Sequence, residues 1–370
     1  MISKDDISRT VKRYKPSKIT IGTICSHSAL QIFHGARQEG LRTTGICTAE
    51  RRFVYDAFKL GKPDDYIIVD DYQDLIKERF QGELLRKNVV VIPHGSFVEY
   101  VGAENLKREF HVPMYGNRSA LEFEGDRRKM RTWLQEAGVK IPREHKDPSK
   151  IDRPCIVKFH GARGGSGFFV VDSERRYQEQ IANGIKKGTI SESDLSEATI
   201  QELVVGIRYY PQYFYSLMFQ GEVRAGEGRV ELLGIDRRVE SNVDDLYRIP
   251  RPENGPEIEP SYVVTGNIPV VLRESLLPKV LDLGRRVTEA SVKLFPPGMV
   301  GPFCLETVCT DNLEFVTFEA SARIVAGTNL YPEGSPYSCY LFSKPMSTGR
   351  RMALEIKEGI RKKRLADLVS

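Results

Sequence analysis

The sequence predicts a mixed architecture, α/β through residue 122 and α+β beyond it. Three observations carry this. In residues 1–122, apolar runs of strand length alternate with amphipathic helical stretches. A glycine-rich segment at 161–167 joins two β-type runs, Cys155–Lys158 and Phe168–Val171, and no helix follows it directly. Two more β-type runs, Gly301–Thr310 and Leu313–Phe318, flank an Asp311-Asn312 turn and carry glutamates at 306 and just beyond the second run, at 319.

Taken in order, Ile19–Cys25 reads as a strand, Ala29–Glu39 as a helix stopped by Gly40, Leu41–Thr48 as a strand, and Tyr66–Val69 as a short third one. Val89–Pro93 is apolar throughout and reads as a buried strand. A parallel sheet of this kind binds ligands beyond the carboxyl ends of its strands. That singles out the loops Cys25-Ser26-His27-Ser28 and Pro93-His94-Gly95-Ser96. Ser28 precedes a helix whose N-terminus suits a phosphate; by itself it reads as an N-cap, Ser96 likewise, and His94 as a turn residue. A second unit, 123–205, holds an amphipathic helix over Arg131–Gly138, an extended Val139–Pro142, the glycine-rich hairpin, a polar helix around Tyr177–Ala182, and a strand at Thr199–Gly206. A third, 206–370, opens with alternating tyrosine and phenylalanine over Arg208–Phe219, which reads as core. A Pro/Gly/Glu loop at Pro250–Pro260, a long helix after Pro278 and a final helix from about Thr348 complete it.

Composition narrows the partners. The chain has 370 residues and a net charge of +5, an excess that suits an anionic small ligand. Its basic residues form no long block, so nucleic acid is not expected; the short Arg361-Lys-Lys-Arg364 run fits a helix end. No apolar run of about 18 residues is present, so no membrane span is expected. The six cysteines include no Cys-x-x-Cys pair, which points to buried thiols in a reducing cytoplasm. The polar N-terminus lacks a signal-peptide core.

The chemistry concentrates in two places. A loop of glycines lets backbone N–H groups close around phosphate oxygens, and Lys158 on the incoming strand adds a fixed cation. Since an apolar β-type run follows the glycines, the segment reads as a hairpin flap over a triphosphate, not as a strand-to-helix phosphate loop. With a two-residue turn at Asp311-Asn312, Glu306 faces Thr317 and Glu319 is its diagonal neighbour, roughly 7–8 Å away at the backbone. Two carboxylates so placed suit a hard cation shared with phosphate oxygens; a three-residue turn would put them on opposite faces. Arg323 adds a guanidinium able to stabilise a moving phosphoryl group.

These residues resemble the ATP-grasp ligases. Asp126-Arg127-x-x-x-Arg131-x-x-Leu134-x-x-Ala137-Gly138-Val139-x-x-Pro142 is similar to the helix that opens their nucleotide unit, with arginines where lysines are usual. Lys158 matches the strand lysine, and Gly161, Arg163, Gly164, Gly165 and Gly167 lie in the stretch that matches the phosphate flap. Gln201-Glu202-Leu203-Val204 resembles the hinge that holds adenine, and Glu306 and Glu319 match the magnesium carboxylates. Ser321 stands where the family usually has a third, asparagine ligand. The resemblance implies an ATP-grasp fold behind a Rossmann-like N-terminal domain, with ATP and Mg²⁺ or Mn²⁺ as cofactors and with Arg127, Lys158 and Arg323 at the nucleotide.

Ser26-His27-Ser28, Ile92-Pro-His94-Gly-Ser96-Phe97, Gly161-Ala-Arg-Gly-Gly, Val263-Val-Thr-Gly-Asn267 and Pro297–Cys304 together resemble the archaeal formate-dependent ligases of purine (IMP) biosynthesis. That likeness implies aminoimidazole carboxamide ribonucleotide (AICAR) and formate as substrates, formyl phosphate as intermediate, ADP and phosphate as products, and a homo-oligomer. By position it assigns His27, Ser96 and Asn267 to the ribonucleotide and Glu240 to ATP.

Overall fold

A computed structural model describes residues 2–159, 168–191, 195, 198–241 and 263–370. The strands of the described residues form three sheets. In the first, β1 (Thr20–Ile24), β2 (Arg42–Cys47), β3 (Asp65–Ile68) and β4 (Val89–Val91) pair in parallel in the order β3-β2-β1-β4. Every residue of β1 and β4 is buried, as expected for parallel strands covered on both faces. The helix Ala29–Gln38 follows β1, and Gly40 at φ +77° ends the turn after it. The outer edge of β4 is not left open. Val91 N donates to Pro113 O and Tyr115 N to Val91 O, while Met114 and Ser370 exchange backbone hydrogen bonds. The last residues of the chain thus return to cover the first sheet.

The second sheet, ordered β5-β8-β6-β7, comprises β5 (Glu144–His145), β6 (Cys155–Lys158), β7 (Phe168–Val171) and β8 (Thr199–Glu202). β6 and β7 pair antiparallel, as the hairpin requires. The flap residues Gly161, Arg163, Gly164, Gly165 and Gly167, and the Pro250–Pro260 loop, lie outside the described residues. The third sheet runs β10-β11-β9-β13-β14 with β12 on β11. Its strands are β9 (Ile207–Ser216), β10 (Arg224–Ala225), β11 (Gly228–Glu240), β12 (Val264–Pro269), β13 (Gly301–Cys309) and β14 (Phe315–Ser321). The aromatic run on β9 is core, with Tyr210, Tyr213, Phe214 and Tyr215 all buried. Five of the six cysteines are buried free thiols; Cys339 is exposed.

The helix proposed from Arg131 begins earlier, at Arg127, because the Asp126 carboxylate accepts from the N–H groups of Arg128 and Lys129. Helix Leu277–Leu294 packs beneath the third sheet: Trp133 Nε1 donates to Val287 O at 2.9 Å, and the Tyr213 hydroxyl to Val280 O at 2.7 Å. The final helix, Thr348–Arg361, crosses Ala29–Gln38 at Gly35 and Gly349, where backbones touch and a side-chain methyl on either would overlap the other helix.

Candidate active site

The first sheet reverses its strand order between β1 and β4, and the loops after these two strands meet there. Ser26 Oγ lies 3.0 Å from Ser96 Oγ. The His27 and His94 rings stack with centroids 5.2 Å apart and planes within 4°. His27 adopts φ +53°, and its Nδ1 lies 2.8 Å from Ser28 Oγ. His94 has no exposed surface and contacts Ile24 O through Nε2 at 2.9 Å. Burial lowers the pKa of both rings, His27 to about 2 with His94 and Arg323 assisting, and His94 to about 4. Both are neutral imidazoles at physiological pH. Neither serine caps a helix: Ser28 turns toward Val325 O at 3.4 Å, and Ser96 sits inside the helix Gly95–Val101. The N-cap readings of these residues are therefore corrected.

The second cluster lies on the third sheet, and its geometry corrects the turn. The hairpin between β13 and β14 has three loop residues, Asp311 to Leu313, flanked by Thr310 and Glu314, whose backbones hydrogen-bond; Leu313 takes φ +57°. Cys309 then faces Phe315 and Thr307 faces Thr317. Continued regularly, this register would set Glu306 against Phe318 and turn Glu319 to the other face. A β-bulge between Glu306 and Thr307 absorbs the extra residue on β14, so Glu306 pairs directly with Glu319. The expected convergence is present, by a bulge instead of a two-residue turn, and the pair is directly opposed instead of diagonal.

Facing carboxylates repel, and Glu306 together with burial pushes the Glu319 carboxyl up to about 7. Glu319 keeps exposed surface, whereas its partner Glu306 is buried. Lys158 donates to Gln201 Oε1 at 2.6 Å; burial lowers its pKa while Glu319 opposes that fall. Arg127 donates to Phe159 O at 3.0 Å beside the same strand. Glu202 Oε2 accepts from Arg143 N at 3.2 Å and Oε1 pairs with Arg153 at 3.3 Å; Val204 follows on the connection to β9. Glu240 pairs with Arg208 near the end of β11.

Three residues that the sequence did not single out, Arg238, Asp236 and Glu124, complete the arrangement together with Gln201 of the hinge segment. Arg238 on β11 reaches over the Tyr210 ring, 4.0 Å from its centroid, to grip both oxygens of Glu306. Asp236, buried, accepts from Asn267 Nδ2 at 2.7 Å and from Gln212. Glu124 holds Arg323 at 3.0 Å and accepts from Ala322 N. Gln201 holds Lys158 and donates to Glu144 Oε1 at 2.8 Å. Arg238, Asp236 and Glu124 lie in no motif, and each is brought in by strand pairing or by a long-range contact.

Arg323 joins the two clusters. A methyl built on Gly95 would lie 3.1 Å from His27 Nε2 and 3.4 Å from Arg323 Cζ, so both side chains rest against this one glycine. Residues 324–329 continue along the first sheet: Ile324 bridges His94, and Asn329 Nδ2 donates to His27 O at 3.1 Å. Among the described residues no group of three or more His, Cys, Asp or Glu could hold a metal ion. A directly opposed glutamate pair, now compensated by Arg238, fits a hard divalent cation that also takes phosphate oxygens.

Comparison with known proteins decides the family. The chain is 50% identical over 371 residues to the 5-formaminoimidazole-4-carboxamide-1-(beta)-D-ribofuranosyl 5'-monophosphate synthetase of Methanococcoides burtonii, covering 100% of this chain and 99% of that one. The chain belongs to this synthetase family. The likeness to the synthetase of Korarchaeum cryptofilum is 48% over 366 residues, covering 98% of both chains. Two family profiles also match, "Protein of unknown function (DUF1246)" over residues 21–145 and "Domain of unknown function (DUF1297)" over 176–370. Among solved structures, the IMP biosynthesis protein PurP from Thermococcus kodakaraensis superposes with a TM-score of 0.71 at 26% identity, covering 95% of this chain and 100% of that one. The ADP complex of purK, N5-carboxyaminoimidazole ribonucleotide synthetase, gives a TM-score of 0.62 at 13% identity over 93% of this chain and 78% of that one, a likeness of fold. The synthetase family has the ATP-grasp fold, and this member is an ATP-dependent ligase. No helix among the described residues is long and apolar enough to cross a membrane.

Proposed function

We propose that this ligase formylates the amine of AICAR with formate and ATP, in purine (IMP) biosynthesis. The observation that carries the reading is Arg323, which rests with His27 against Gly95 on one side and is gripped by Glu124, beside the glutamate pair, on the other. A phosphorylated intermediate formed at one cluster is then within reach of an acceptor held at the other.

Formate is a poor electrophile because its carboxylate is anionic and has no leaving group. Attack of a formate oxygen on the γ-phosphorus of ATP breaks the bond to ADP and gives formyl phosphate. The AICAR amine then attacks the formyl carbon, phosphate leaves with the C–O bond, and the amine loses its proton. Glu306 and Glu319 would hold Mg²⁺ or Mn²⁺, which when bound neutralises charge on the phosphates. Lys158 and Arg323 bring cations to the same phosphoryl group. Neutral His27, with Ser28, Ser96 and Asn267, holds the ribonucleotide. Asp236 takes the Asn267 amide N–H, which leaves the amide oxygen to accept from the substrate. The amine is weakly nucleophilic because it donates into the ring, so positioning carries much of the rate. Arg127, Glu202, Val204 and Glu240 serve ATP in this reading, with the flap at 161–167 above it.

ADP release is measured with Mg-ATP, formate and AICAR, omitting each in turn. ADP that requires both co-substrates, with loss of the free amine, is the expected result. ADP formed equally without AICAR or without formate refutes the assignment and points to another amine or carboxylate.

A further inference from the structure

Arg51 is a cation at the mouth of the first sheet to which the reading above gives no task. It ends the short turn Ala49–Arg51 that follows β2. Its Nη1 donates to Ser26 Oγ at 3.1 Å and its Nη2 to the Tyr100 hydroxyl at 3.3 Å. The guanidinium carbon lies 5.8 Å from the Tyr72 ring centroid and 5.7 Å from that of Tyr100, and these two rings stack at 5.2 Å. Its neighbour Arg52 pairs with Asp56, whereas Arg51 has no carboxylate partner among the described residues. The groups that bear most on its charge are the phenols of Tyr100, Tyr72 and Tyr55.

Three elements therefore converge. Ser26 comes from the loop after β1, Arg51 from the turn after β2, and Ser96, only 8% exposed, from the first turn of the helix Gly95–Val101 that follows β4, with the two hydroxyl oxygens 3.0 Å apart. The helix at Ala29 begins beside them without a side-chain cap, so the positive end of its dipole is not compensated there. A guanidinium braced on aromatic faces and two hydroxyls match a phosphomonoester in shape and charge, and the bracing reduces the ordering cost of binding.

Contacts run from Arg51 to Ser26 and from Ser26 to Ser96, whose neighbour Gly95 touches Arg323, so Arg51 stands at the opposite end of this series of contacts from Arg323. A nucleotide has its amine at one end and its 5′-phosphate at the other, so a base placed at Arg323 sends its phosphate toward Arg51. We infer that Arg51, with Ser26 and Ser96, binds the 5′-phosphate of the ribonucleotide substrate. The inference rests on the proposed function for the identity of that nucleotide, and on this geometry for the phosphate.

The test is calorimetric titration of AICAR, its 5′-dephosphorylated riboside and ribose 5-phosphate into wild type, Arg51→Met and Arg51→Lys. Arg51→Met is expected to weaken AICAR and ribose 5-phosphate by about 10- to 100-fold, the range of a charge-assisted hydrogen-bonded contact, and to leave the riboside unchanged. Arg51→Lys keeps the charge without the fork and falls between. Equal weakening of riboside and ribonucleotide would mean that Arg51 only shapes the loops, and would overturn the inference. Unchanged AICAR binding in Arg51→Met overturns it too, and leaves the proposed function standing. Arg51-dependent binding of ribose 5-phosphate without any AICAR binding does the reverse. Wild type that binds none of the three overturns both.

Discussion

Replacing Glu355 by alanine is expected to destabilise the protein by about 3–5 kcal/mol, the usual cost of removing one partner from a buried ion pair. Glu355 has no exposed surface. Its carboxylate accepts from Ser216 Oγ at 2.8 Å, Leu217 N at 2.8 Å, Met218 N at 2.9 Å and Arg351 Nη1 at 2.8 Å. Arg351, equally buried, is also held by Glu231 at 2.7 Å, and Glu231 by Arg229. The truncation leaves two backbone N–H groups and one edge of a guanidinium without acceptors, at about 1–3 kcal/mol each before relaxation. Local adjustment and water bring the sum down to the lower range. Glu355→Gln keeps one acceptor oxygen for the two N–H groups and should cost about half as much. Urea unfolding followed by tryptophan fluorescence reads this directly, because Trp133 is the single tryptophan and shares the main core with Met352 and Ile356 of the same helix. A loss below about 1 kcal/mol for alanine, or equal losses for alanine and glutamine, would refute the reasoning.

Gly95→Ala should lower kcat/KM by about 100-fold, since a methyl there pushes on His27 and Arg323 together and small displacements are costly in a positioned reaction; an unchanged rate would remove Gly95 from the argument. Glu306→Gln and Glu319→Gln should each abolish the metal-dependent part of Mg-ATP binding in calorimetry, and its survival in both would dismiss the metal assignment. His94, ordinarily near 6.5, is lowered to about 4 in the fold, so between these values the unfolded chain binds more protons. Its contribution to stability is complete above about pH 6.5 and is lost as pH falls toward 4, and His94→Gln should flatten acid unfolding in that window. Gly35→Ala should cost about 1–3 kcal/mol in urea unfolding, because its methyl meets the Arg350 backbone at the helix crossing.

Local patterns made much of the fold legible. The runs at Ile19–Cys25, Leu41–Thr48 and Val89–Pro93 became β1, β2 and β4 with ends trimmed by one or two residues, and burial on both faces explains why Val89–Pro93 is apolar throughout. Lys158, Arg323 and the glutamate pair could be named because each lies in or beside a readable strand. The turn could not be read, since Asp311-Asn312 suggests a two-residue loop and nothing in the residue types announces Leu313 at positive φ or a bulge near Phe318. Arg238, Asp236, Glu124 and Arg51 were out of reach for another reason. Their partners lie between 24 and 199 positions away, and only the pairing of strands and the packing of loops brings them together.

The hairpin that carries the glutamates has arms of unequal count. Four steps separate Glu306 from Thr310, and five separate Glu314 from Glu319. Side chains alternate between faces, so the carboxylates agree in phase only because one position on the longer arm is spent in the bulge. Parity then governs which changes of length the hairpin tolerates. Removing one residue between Glu314 and Glu319, or adding one between Glu306 and Thr310, evens the arms and lets a regular ladder keep both carboxylates on one face. Removing one from the shorter arm, or adding one to the longer, leaves a mismatch of two, so a regular ladder keeps the carboxylates on one face only as diagonal neighbours and their direct pairing is lost. The loop of Asp311 to Leu313 can change length without disturbing the phase, provided Thr310 and Glu314 still close it. Natural variation in length should therefore collect at the tip of this hairpin and avoid its arms.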